Sequence, residues 1–210
     1  TADIKCTNEN CPAQLERHII NFVGRDAMDI KGFGTVYIEE LINKGYISSV
    51  ADIYRLKEHR DALIEEGIIG KEKNTDKLLD AIEKSKENDA YQLLTGLGIS
   101  NVGKAAAKAI MRKLQNFDAL MRASSEELQE VDDIGRVSAD CILDFFQKEE
   151  NQALMEQLKD AGVNMECLEE DRGDLMLSGM TFVITGTLPN MDRKEAAAYI
   201  EQLGGKVTGS

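Results

Sequence analysis

Few side chains in these 210 residues are placed to do chemistry, and they are scattered. Cys6 and Cys11 stand close together in CTNENCP. Thiolates this near in sequence can bind one zinc ion, but a structural zinc site takes four ligands. No second cysteine pair follows, and His18 is the only histidine close by. The pair therefore reads either as half of a zinc site or as two free thiols. Cys141 is expected in a helix core, and Cys167 lies in an acidic connector. Four cysteines are too sparse for a disulfide framework and point to a reducing compartment. His18 and His59 lack the partners that a base or nucleophile needs. Asp132 and Asp133 are adjacent carboxylates in a turn, an ordinary surface arrangement. The GxG at Gly32–Gly34 is too short for a nucleotide-phosphate loop. No catalytic set assembles from these residues.

The net charge is -13. Taken alone it argues against nucleic-acid binding, because phosphate contacts need Lys, Arg or backbone N–H groups. The charge is uneven, however. Asp144 to Asp174 holds ten acids and three bases. A local face built on backbone amides survives such a total. No run of 18 apolar residues spans a membrane, and TADIKCTNEN is no signal peptide. Both ends of the chain read as cut rather than natural.

The positioning elements are mainly helical. Residues 1–18 form a short head, and residues 19–159 read as helices punctuated by glycine. Residues 160–178 are an acidic linker. From 179 to 210 the character changes. TFVIT is a strand, a helix runs from Asp192 to Leu203, and a second strand begins at Lys206. Asp192 and Glu195 have capping-box spacing. Thr185-Gly186-Thr187 is a strand-exit turn.

The helical part contains a repeat: IKGFGTVYIEELI from Ile30, LGISNVGKAAAKAI from Leu97 and VDDIGRVSADCIL from Val131. Aligned on Gly34, Gly103 and Gly135, each copy has an apolar residue at +4 (Ile38, Ala107, Ala139) and at +7 (Leu41, Ile110, Ile142). That is one face of a helix starting just after the glycine. A fainter copy has Gly70 at the aligned place, but its +4 and +7 residues are Asn74 and Lys77. One extra residue explains the slip, and this copy is expected to pack structurally.

A glycine hairpin before a helix has a physical meaning. Glycine reaches backbone angles closed to other residues and lets another backbone approach. The first helical N–H groups have no partner inside the helix, and the helix dipole favours an anion there. A DNA phosphate fits without an arginine, and with little sequence preference. The candidate contacts are Lys31, Gly32, Gly34, Thr35, Gly98, Asn101, Gly103, Lys104, Gly135 and Arg136.

The order CTNENCPAQ, INFVGRDAMDIKGFG, ADIYRL, AIEKSK, LLTGLGISNVGKAAAKAI, VDDIGRVSADCI and GMTFVITGTL resembles the C-terminal half of the bacterial NAD-dependent DNA ligases, over essentially all 210 residues. The resemblance implies a fold with three parts. They are a zinc-finger remnant, in which Cys6 and Cys11 stand for two of four ligands, four helix-hairpin-helix motifs, and the start of an α/β BRCT domain. Asp133 stands where a hairpin glycine is expected, which weakens the fourth hairpin. The family transfers AMP from NAD, with Mg, to its own lysine and then to a 5′-phosphate at a nick. That lysine, the NAD-binding adenylation domain and the oligonucleotide-binding barrel would precede Thr1, so this part is expected to be non-catalytic. Its implied role is to help encircle nicked double-stranded DNA. The protein is expected to be monomeric, cytoplasmic and bacterial. The alternatives are the DNA-binding part of another repair protein and a protein–protein scaffold.

Overall fold

The computed structural model describes residues 12–168, 180–184, 193–202 and 206–208. They fall into two units, one ending at Leu168 and one beginning at Glu169. The first is helical. Its elements are α1 (Pro12–Val23), α2 (Thr35–Asn43), a 3-10 helix (Val50–His59), α3 (Arg60–Glu66), α4 (Glu72–Ser85), α5 (Ala90–Gly96), α6 (Lys104–Leu114), α7 (Phe117–Arg122), α8 (Ser125–Gln129), α9 (Arg136–Gln147) and α10 (Glu149–Asp160).

Three of the helices begin at a side-chain cap. Asp89 accepts the Tyr91 N–H ahead of α5, and Asn116 accepts the Ala119 N–H ahead of α7. Ser124 and Glu127 form a reciprocal capping box on α8, at 3.2 and 2.8 Å. Each helix then turns one apolar stripe inward, as α6 does with Ala107, Ile110 and Met111. The stripes merge into one core running from Ile19 and Phe22 to Leu158 and Val163. Phe22 meets Tyr54 edge to face at 6.2 Å, and Phe117 meets Phe146 at 6.3 Å.

Two expected limits lie within the helical unit. Residue 18 lies inside α1, so the helices extend further towards the N-terminus than the expected 19. The linker expected from residue 160 stays with the helical unit as far as Leu168. Val163 is buried, and Met165 and Cys167 pack against the core. The backbone there is bonded inward: Asn164 N–H to the Lys86 carbonyl (2.8 Å), Phe117 N–H to that of Met165 (3.0 Å), and Cys167 N–H to that of Gln115 (2.7 Å). Its acids had masked these apolar residues.

The second unit is small. Strands β1 (Thr181–Val183) and β2 (Lys206–Thr208) pair in parallel, Phe182 opposite Val207, joined through α11 (Arg193–Gln202). This is the strand, helix and strand expected from the sequence. Ala196 is buried on the inner face of α11. Cys6, Cys11, the Thr185–Thr187 turn, Asp192 and Gly204-Gly205 lie outside the described residues. Among the described residues no helix is long and apolar enough to cross a membrane.

Candidate nucleic-acid interface

Each repeat is two helices joined by a hairpin: α1 with α2, α3 with α4, α5 with α6, and α8 with α9. The residue capping each second helix is Gly34, Lys71, Gly103 and Gly135. The second copy is therefore aligned on Lys71, one residue after Gly70. With that shift its +4 and +7 residues become Thr75 and Leu78, and both are buried.

The hairpins share one turn. The N–H of the residue before the cap donates to the carbonyl three residues earlier: Phe33 to Ile30, Gly70 to Gly67, Val102 to Ile99 and Ile134 to Val131. In the first, third and fourth copies these turn residues are apolar and buried. The residue two before the cap has a left-handed backbone in the same three copies: Gly32 (φ 85), Asn101 (φ 62) and Asp133 (φ 62). Asp133 thus takes the same angle as Asn101, so the fourth hairpin keeps its backbone shape without a glycine. Asn and Asp tolerate this region better than most residues. The second copy differs, with positive φ at Gly67 and Gly70 instead.

The cap glycines have a different reason to be glycine. Gly34, Gly103 and Gly135 sit at φ -71, -86 and -86, angles that any residue adopts. A Cβ added to any of them would meet nothing within 4 Å. Neither backbone angle nor internal packing demands glycine there. Positive φ applies to Gly32 and Gly98 only among the candidate glycines. What the cap glycines provide is clear access to the helix start from outside. No side chain caps these three helices, and none has an acid in its first turn. Their leading N–H groups and dipole face outward.

The α4 start differs. Glu72 lies in its first turn and pairs with Arg60 at 2.9 Å. Arg60 also grips Asp76 through two nitrogens, at 2.6 and 2.9 Å. No side chain caps this helix either, but Glu72 sets a negative charge in the first turn, where the other three starts have none.

All ten sequence-derived candidates, from Lys31 to Arg136, are exposed. Side-chain bonds tie their three hairpins together. Gln92 Nε2 donates to the Ala27 carbonyl (2.9 Å) and Asn88 Nδ2 to that of Met28 (2.8 Å), binding the first hairpin to the third copy. Asn21 Nδ2 reaches the Thr95 and Gly96 carbonyls, both at 3.2 Å. Lys104 Nζ pairs with Asp26 at 3.2 Å. Ser138 Oγ on α9 donates to the Asn101 carbonyl at 3.3 Å, and Asn101 Nδ2 reaches Cys141 Sγ at 3.5 Å. Cys141 is thus half-buried, packed against the core beside a hairpin. These ties were not visible in the sequence, because single polar residues in loops carry no periodic signal.

His18 is half-buried on α1. It packs near Gly98 and hydrogen-bonds the backbone of Leu97 and Gly96, and burial lowers its pKa. His59 stacks edge-on against Tyr46 at 5.3 Å. Among the described residues no three His, Cys, Asp or Glu side chains converge to hold a metal ion.

Comparison with known proteins agrees with the repeat. Residues 92–155 match the family model of the helix-hairpin-helix motif. Residues 174–210 match that of the BRCA1 C Terminus (BRCT) domain. A DNA ligase of Clostridium kluyveri is 49% identical over 209 residues, which is 99% of this chain and 32% of that protein. One from Desulforamulus reducens is 46% identical over 98% of the chain and 31% of its own length. One from Brevibacillus brevis is 45% identical over 99% and 31%. The chain thus spans about a third of the length of these relatives. It belongs to the bacterial DNA ligases, as the region that carries their helix-hairpin-helix and BRCT elements.

Proposed function

We propose that the first, third and fourth hairpins hold the sugar-phosphate backbone of nicked duplex DNA for a DNA ligase. The observation that carries this is the set of three glycine-capped helix starts without side-chain caps, on hairpins bonded to one another. Each start offers main-chain N–H groups to one phosphate, and Lys31, Thr35, Asn101, Lys104 and Arg136 add polar contacts around them. The second hairpin is assigned a structural role, because Glu72 places a negative charge in the first turn of its helix, which disfavours a phosphate there. Phosphates carry no base code, so recognition follows backbone shape and not sequence.

On this reading the whole enzyme joins 5′-phosphate and 3′-hydroxyl ends, with NAD as AMP donor and Mg as metal. The region described here binds and positions DNA and does no chemistry itself. It acts as a monomer in the cytoplasm, beside an adenylation domain and an oligonucleotide-binding barrel. Cys6 and Cys11 supply two thiolates to a zinc site that needs two further ligands. The domain limits proposed from the sequence, 1–18, 19–159, 160–178 and 179–210, are amended so that α1 and residues 160–168 belong with the helices.

The test is binding of a labelled nicked duplex across a salt series. Three phosphate contacts predict that log affinity falls against log salt with a slope of about -3 or steeper. Affinity that ignores salt refutes the reading and favours a protein scaffold.

A further inference from the structure

Two of the most exposed large apolar side chains are Val36, at 68% exposure, and Val137, at 66%. Isolated apolar residues on a surface are ordinary. These two are not placed at random. Each is the second residue of its helix, immediately beyond a glycine cap and its neighbour Thr35 or Arg136. The same position in the third copy is Ala105, also exposed. In the second copy, whose first turn carries the acid Glu72, it is Lys73. The small apolar residue therefore accompanies the glycine-capped helix starts and is replaced by a charge at the lysine-capped one with an acid in its first turn. Valine is a poor choice for an exposed helical turn, since its branched Cβ loses rotamer freedom there.

We infer that Val36 and Val137 pack against the deoxyribose rings flanking the phosphates held at their helix starts. This rests on the DNA-binding reading above. A phosphate at the first-turn amides brings its two sugars within reach of the second residue, and a sugar presents C–H surface between charged groups. The surrounding charge fits that occupant: a helix dipole and the preceding residue Arg136 at Val137, and a helix dipole at Val36. The apolar contact would register the backbone on the face without reading any base.

The experiment compares the 210-residue chain with Val36→Ala, Val137→Ala and the double variant on a nicked duplex across a salt series. Alanine favours the helix, so circular dichroism should be unchanged. The double variant should bind about 3- to 10-fold more weakly, from loss of apolar burial. Its salt slope should match the parent's, because no ionic contact is removed. Equal affinity in a parent that binds with a steep salt slope overturns the sugar contact and leaves the DNA reading standing. A parent that fails to bind, or binds without salt dependence, overturns both.

Discussion

The ammonium of Lys104, first residue of α6, lies 3.2 Å from the carboxylate of Asp26 in the first hairpin. The pair is exposed and joins two copies that are 78 residues apart. An exposed pair adds little stability. Its effect is on the interface, because Asp26 competes with a phosphate for Lys104. Asp26→Asn should raise affinity for nicked duplex about two- to fivefold at low salt, an effect of the size exposed pairs show. Lys104→Ala should make the salt slope shallower by about one. Fluorescence anisotropy over a salt series measures both, and a lower affinity for Asp26→Asn would count against the competition.

Gly103→Ser separates folding from binding. Serine caps a helix slightly better than glycine, and the added Cβ meets nothing within 4 Å. The unfolding free energy from urea titration should hold or rise by about a few tenths of a kcal/mol. Binding should weaken, because the new hydroxyl takes the amides that a phosphate would use. Lys71→Ser, at the same register in the second copy, should weaken it far less. Equal losses from both would show that all four helix starts hold DNA alike.

His18 sets a pH dependence. Burial lowers its pKa below the ordinary 6.5, and its bonds to the Leu97 and Gly96 backbone only partly oppose this. The unfolded chain then binds a proton more readily than the folded one. Stability is therefore full above about 6.5 and falls as pH drops towards the depressed folded value. Thermal midpoints should decline between pH 7 and 5, and less so in His18→Gln. Matching declines in both proteins would place the titrating group elsewhere.

The helix faces were legible because each strong copy keeps its +4 and +7 residues apolar, and all six are buried. The second copy misled by its glycines. Gly67 ends α3 and Gly70 closes the hairpin, so matching Gly70 to a cap slips the register by one. Burial of Thr75 and Leu78 restores it. Asp133 was read as a defect because residue type was weighed over backbone angle. The ties from Asp26, Asn88, Gln92 and Ser138 were invisible, since pairings across the fold leave no local pattern. The candidate contacts themselves were found on exposed hairpin positions, because the same glycine spacing marks where the chain must turn.

The three open caps give this face an unusual chemical constancy. Main-chain amides neither gain nor lose protons near neutrality, and no side-chain substitution away from the hairpins removes them. A surface of this kind is almost absent from a map of charged residues, and it persists on a chain of net charge -13. Its shape is inherited through loop geometry, so it tolerates drift in most of the surrounding side chains but not in the few residues that set the turn.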